Sequence, residues 1–283
     1  MSPGLRPESM GQTPDRGKVV TPDTEAHAPE RPREGGYATW SPRISPGIGR
    51  TLTDEQKLAI SFRWLAREDF AENLAGHITW QRSGSSSMLI NPWGLWWREL
   101  TAGDICEVDE NGTVIAGKWD VTPAFHIHTE LHRARPDARV VVHNHPYYTS
   151  LLACLGEIPR VVHQTASMFA GDISLVDEYT GEVDSAELGR DLARRIGNAN
   201  IVILKSHGVI VIADTVERAT YLSASLERVS RTTVDLMKLG AEVGSLDGNL
   251  VAGMKVSLLE RGADVYWDGL VRQLTRLEPE VLS

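Results

Sequence analysis

Arg139-Val140-Val141-Val142-His143-Asn144-His145-Pro146 is the stretch from which the fold of this chain is read. Three consecutive β-branched residues favour a strand, and an unbroken apolar run predicts one buried on both faces. Side chains alternate along a strand, so His143 and His145 point the same way with Cα atoms roughly 6.6 Å apart. Two imidazoles so placed can reach one cation about 2.1 Å from each nitrogen. A pair of satisfied, half-buried histidines is the other reading of an isolated His-x-His. A second apolar run, Ile201-Val202-Ile203-Leu204, leads to Lys205-Ser206-His207-Gly208, where the glycine permits a tight turn. The chain has nine histidines, and spacing alone does not single out three.

Working outward, Thr53 and Gln56 have capping-box spacing ahead of Leu58, Phe62, Leu65 and Ala66 at helical intervals. Short strands are expected at 77–81 and 88–91, then a hairpin of 105–108 and 113–115 turning through Asn111-Gly112. Thr122-Pro123 opens a helix to about Ala134, stopped by Arg135-Pro136-Asp137. Residues 184–196 read as a helix ending at Gly197, and a long amphipathic helix opens at Asp214, with Glu217 as capping partner, and runs to about Gly240. Helices and strands mix without strict alternation. The expected fold is therefore α/β, a three-layer α/β/α arrangement around a central, mostly antiparallel sheet.

Residues 1–48 are rich in Pro, Gly, Glu and Arg and lack periodic apolar positions, so they read as a disordered tail before a catalytic domain at 49–283 with a C-terminal helical extension. Overall, 41% hydrophobic and 24% charged residues are ordinary for a globular protein. With 29 Lys+Arg against 38 Asp+Glu and a net charge of -9, the chain lacks the basic face that nucleic acid requires. No apolar run long enough to span a membrane and no secretory h-region is present, so a cytoplasmic location is expected. Cys106 and Cys154 have neither CxxC nor zinc-finger spacing and read as buried free thiols.

The segment Arg133-Ala134-Arg135-Pro136-Asp137 through His143-Asn144-His145-Pro146, followed by Ile203-Leu204-Lys205-Ser206-His207-Gly208-Val209, resembles the two signature segments of the class II aldolase/adducin family. The likeness covers roughly 52–240. It implies an α/β/α domain, usually a homotetramer with sites near subunit boundaries, and a divalent metal on His143, His145 and His207. The family's sugar-phosphate aldolases carry an acid/base glutamate eleven positions before Arg135; here that position is Ala124. Their phosphate-binding turns correspond to Gly76-His77-Ile78-Thr79 and Asn91-Pro92-Trp93-Gly94, which are bulky and aromatic here. Sugar-phosphate cleavage is therefore not expected unless Glu130 or another carboxylate substitutes. These turns, with Trp267-Asp268-Gly269-Leu270-Val271-Arg272, resemble instead a sub-branch containing aromatic-acid decarboxylases and the non-haem iron oxygenases of aminocoumarin antibiotic pathways.

The reaction this resemblance implies is oxidative decarboxylation of an aryl-substituted 2-oxo or 2-hydroxy acid with Fe(II) and dioxygen, with no organic cofactor. A non-oxidative lyase using Zn2+ or Mn2+ is the second reading, and a non-catalytic assembly module like the adducin heads the third. The resemblance places His77 where it can bond a substrate carboxylate and His128 in the lining of the site, and both are candidate catalytic residues beside His163, a candidate pocket residue. His126 and His128 diverge by about 200° on a helix and cannot share a metal there; His126 reads as helix surface. His132 shares a face with His128 but lacks the metalloprotease glutamate. Trp93, Trp96 and Trp97 shape either an aromatic pocket or a subunit interface, and Lys205 is an exposed strand-end lysine.

Overall fold

In a computed structural model of the protein, the described residues are 51–178, 181, 183–240 and 242–283. The N-terminal tail expected at 1–48 lies outside them. Among the described residues eight strands form one sheet: β1 (His77–Gln81), β2 (Met88–Ile90), β3 (Cys106–Val108), β4 (Val114–Ala116), β5 (Val140–Asn144), β6 (Ile173–Val176), β7 (Ile201–Leu204) and β8 (Gly208–Ala213). Their order is β4-β3-β2-β1-β5-β8-β7-β6, and every pair is antiparallel except β6 with β7. The valine run of β5 is central and fully buried, as its lack of polar alternation requires.

Alternation along β5, β7 and β8 divides the core. Val140, Val142, Ile201, Ile203, Val209 and Val211 join the larger cluster, which includes apolar residues of α1 (Asp54–Arg67), α5 (Val216–Lys238) and α6 (Gly248–Leu277). Val141, Val202, Leu204, Ile210 and Ile212 face the opposite way, onto α2 (His126–Ala134) and α4 (Ala186–Ile196). The three-layer architecture thus follows from period-two patterning in strands buried on both sides.

The Thr53–Gln56 capping box forms in both directions. Other boundaries shift for local reasons. A 3-10 turn, Pro123–Phe125, precedes α2, because Thr122 caps the N–H of Ala124 and Ala124 leaves helical geometry. The long helix takes Thr215 rather than Asp214 as its N-cap, accepting from Arg218 N at 3.2 Å, while Glu217 pairs with Lys57 at 2.8 Å. A further helix not anticipated from sequence, α3 (Tyr147–Leu155), follows β5 directly. Cys106 is buried, but Cys154 is exposed on α3, contrary to the expectation of two buried thiols.

Candidate metal centre

His143 lies at the end of β5, paired across the sheet with His77 of β1 and Ile210 of β8. Its Nδ1–H donates to the Val209 carbonyl at 3.0 Å, and a carbonyl only accepts, so the neutral ring carries its lone pair on Nε2. His145 stands just beyond the strand. Its backbone N–H donates to Asn144 Oδ1 at 2.7 Å, and its Nδ1–H donates to Glu72 Oε2 at 2.7 Å. Asn144 Oδ1 also accepts from Glu72 N at 3.3 Å, tying the loop that carries the carboxylate to the strand end. The Nε2 of His145 is buried and has no hydrogen-bond partner among the described residues.

His207 arrives from the turn between β7 and β8, where Ser206 takes a left-handed φ of 56° and the His207 N–H closes on Leu204 O at 3.0 Å. The ring centroids of the three histidines are 4.9 to 5.1 Å apart, and one nitrogen from each lies within 4.8 Å of the others. Close approach depends on glycine. A Cβ on Gly208 would meet Asn144 O and the His145 ring at 2.5 Å, and one on Gly76, at φ +87°, would meet the Asn144 amide at 2.5 Å.

Burial holds His143 well below the usual imidazole range, and burial with the neighbouring His145 puts His207 at about 4. Neutral rings are what a cation requires of its ligands. The orphaned Nε2 of His145, the Nδ1–H bonds that leave Nε2 bare on His143 and His145, and the absence of a carboxylate from the cluster among the described residues make this donor set fit one divalent cation.

His77 and His128 adjoin the triad. The His77 ring centroid is 5.2 Å from that of His143, and its Nδ1 lies 2.5 Å from His128 Nε2. His163 stands apart: it precedes the 3-10 turn Gln164–Phe169 and among the described residues makes neither a ring contact nor a hydrogen bond with the triad. Its ring is held below its ordinary pKa by burial and then by Arg228. Glu130 cannot replace the missing carboxylate, because Arg133 at 2.5 Å and Arg190 at 3.6 Å hold it at the contact of α2 with α4. Trp97 belongs to the core, edge-on to Phe62 with centroids 4.9 Å apart, whereas Trp93 and Trp96 are exposed. Lys205 pairs with Asp177, and His126 is half-buried.

A cleft of about 840 Å³ opens beside His145, between the loop 67–73, the start of α3 and the face of α5 that carries Glu227, Arg228 and Arg231. Helix α3 has no capping side chain of its own. Glu227 of α5 serves instead, accepting from the N–H of Tyr148 at 2.7 Å, and from the N–H and hydroxyl of Thr149 at 3.0 and 2.7 Å. The segment after His145-Pro146 is thereby pinned to α5. Reasoning from sequence misses Glu72 and puts Glu227, with Arg228 and Arg231, on a solvated helix face, whereas Glu227 is buried against α3; each acts across 70 or more residues of chain. For His132 the signal in the sequence is its i+4 spacing from His128; with no zinc-site glutamate beside them, both rings converge on Thr79.

The profile of the family described as "Class II Aldolase and Adducin N-terminal domain" matches residues 56–234. An adducin-related protein of Schizosaccharomyces pombe is 34% identical over 60% of this chain and 56% of its own length, so the match spans little more than half of that relative. A Streptomyces roseochromogenus protein named 4-hydroxy-3-prenylphenylpyruvate oxygenase/4-hydroxy-3-prenylbenzoate synthase is 31% identical over 58% of this chain and 60% of its own. Among solved structures, an L-fuculose 1-phosphate aldolase from Glaciozyma antarctica superposes with a TM-score of 0.71 at 24% identity, covering 81% of this chain and 91% of that one. That likeness concerns the fold.

Proposed function

Since this chain belongs to the class II aldolase and adducin N-terminal domain family, we propose that it is a metal-dependent enzyme cleaving a carbon–carbon bond of a small, aryl-substituted 2-oxo or 2-hydroxy acid by oxidative decarboxylation. The observation that carries this reading is the convergence of His143, His145 and His207 with, among the described residues, no carboxylate in the cluster. A divalent cation bound there supplies Lewis acidity toward the paired oxygens of such an acid, and iron(II) in particular supplies redox chemistry toward dioxygen.

The chain's own residues do the positioning. Val209 O and Glu72 orient the rings of His143 and His145. Arg228 and Arg231 line the adjoining cleft and offset the charge of an organic acid, and the rings of Tyr147 and Tyr148 offer aromatic surface to its aryl group. The relative whose name specifies an arylpyruvate oxygenase supports the oxidative route. Loss of the acid/base glutamate at Ala124 weighs against retro-aldol chemistry on sugar phosphates.

The second reading, a non-oxidative Zn2+ or Mn2+ lyase, rests on the same three-imidazole donor set, which suits zinc as well as iron. Reconstitution with Fe(II), Mn2+ or Zn2+, assayed with aryl 2-oxo and 2-hydroxy acids with and without oxygen, separates the two. Turnover is expected only with Fe(II) in air; equal turnover by the Zn2+ protein under anaerobic conditions would establish the lyase. Metal analysis that finds none bound would leave the assembly-module reading. A tetramer with sites near subunit boundaries is part of the proposal, checked by light scattering.

A further inference from the structure

Beside the triad, four polar side chains run in series into the interior. His132 Nδ1 bonds the Ala138 carbonyl, His132 Nε2 lies 2.7 Å from Thr79 Oγ1, Thr79 Oγ1 lies 2.7 Å from His128 Nδ1, and His128 Nε2 lies 2.5 Å from His77 Nδ1. All four residues are buried, between 0% and 5% exposed. Their hydrogen-bond partners are imidazole, hydroxyl and backbone carbonyl with no carboxylate among them, and buried rings so partnered are neutral.

A neutral imidazole has one donor and one acceptor nitrogen, and a hydroxyl has one hydrogen to give. The Ala138 carbonyl can only accept. His132 therefore carries its hydrogen on Nδ1 and leaves Nε2 bare; Thr79 donates its single hydrogen to that nitrogen and must accept from His128 Nδ1–H. His128 Nε2 is then bare and accepts from His77 Nδ1–H. The last bare nitrogen is His77 Nε2, on a ring whose centroid lies 5.2 Å from that of His143, its cross-strand partner. The Ala138 carbonyl at the far end, with the Val141 carbonyl that also accepts from His128, thus sets the hydrogen-bonding polarity of a group at the triad.

We propose that Ala138 O, His132, Thr79 and His128 are positioning groups that lock His77 as the Nδ1–H tautomer, and that His77 Nε2 accepts a hydrogen bond from the hydroxyl of a 2-hydroxy acid held against the three histidines. The substrate half rests on the function proposed above; the tautomer half does not. A 2-oxo acid would set a carbonyl oxygen against a bare nitrogen, two acceptors facing each other, so the site prefers the hydroxy acid.

The test uses the full chain labelled with 15N-histidine, metal-free and loaded with Zn2+. Two-bond 1H–15N correlations are expected to show His77, His128 and His132 all as Nδ1–H tautomers; a His77 carrying its hydrogen on Nε2 would overturn the proposal. Thr79→Val removes the link at nearly constant shape and should leave His77 as a tautomer mixture, while Thr79→Ser should restore the single form. An unchanged His77 spectrum in Thr79→Val would refute the relay, and if that variant does not fold, the wild-type and Thr79→Ser spectra still decide. Calorimetry on the Zn2+ protein with mandelate and phenylglyoxylate should give a preference for the hydroxy acid of about tenfold, lost in Thr79→Val and kept in Thr79→Ser. Equal affinities in the wild type would sink the substrate half. A chain that takes up no metal would instead sink the proposed function, with the tautomer result still legible.

Discussion

Glu72 shows how one carboxylate outside the triad sets the quality of the site. Its Oε2 accepts from His145 Nδ1–H at 2.7 Å, which fixes the tautomer that leaves the buried Nε2 bare and would strengthen that nitrogen toward the proposed cation. The carboxylate is about half exposed and the contact is local, so removing its charge should disturb binding more than folding. Glu72→Gln is expected to weaken Zn2+ affinity about 10- to 100-fold, with the far-ultraviolet circular dichroism unchanged. Competition with a chromogenic chelator measures the affinity, and wild-type affinity in the variant would mean that His145 orients itself.

The strand ends and the helix beyond them hold the triad in register. Gly208 opens β8 against the Asn144–His145 backbone, and even a methyl group there would meet it at 2.5 Å. Gly208→Ala should push β8 from β5 and lower the melting temperature by several degrees, as over-packing costs about 1–3 kcal/mol, with metal binding weakened in parallel. Helix α3 depends on Glu227 of α5 for its cap. Burial raises the pKa of this carboxyl above 4.5 despite the hydrogen bonds that favour its ionised form. A folded-state pKa above the unfolded one means stability that is complete at low pH and lost as pH rises through the folded value. The melting temperature of wild type relative to Glu227→Gln is therefore expected to fall as pH rises above about 4.5, as scanning calorimetry in matched buffers can establish. A constant difference would mean that the cap, not the buried charge, dominates. Glu227→Ala strands two helix N–H groups and should cost about 1–3 kcal/mol in urea titrations.

Across the fold, the triad joins chain segments 62 to 64 residues apart in sequence, so a cation bound by all three rings links β5 to the β7–β8 turn and favours the native state over the unfolded. At a free concentration one hundred times Kd, such binding adds about 2.7 kcal/mol, and for a domain of this size the melting temperature should rise by roughly 5–10 °C. Chelator should reverse the shift and His207→Ala should abolish it; a shift that survives that substitution would place the cation elsewhere. No helix among the described residues is long and apolar enough to cross a membrane. Much of this architecture was legible in the chain itself. The valine run at 140–142 announced a buried strand, the apolar run at 201–204 a second strand, and Thr53 with Gln56 its capping box, because strand patterns and helix caps are local properties. The His-x-His spacing likewise put His143 and His145 on one side of the backbone. Their union with His207 came only from the pairing of β5 with β8, and the same folding brought Glu72 to His145, Glu227 to the start of α3 and Thr79 between His128 and His132. Such contacts join residues far apart in the chain, and no local pattern encodes which distant side chain will supply the missing hydrogen-bond partner; packing of the layers selects it.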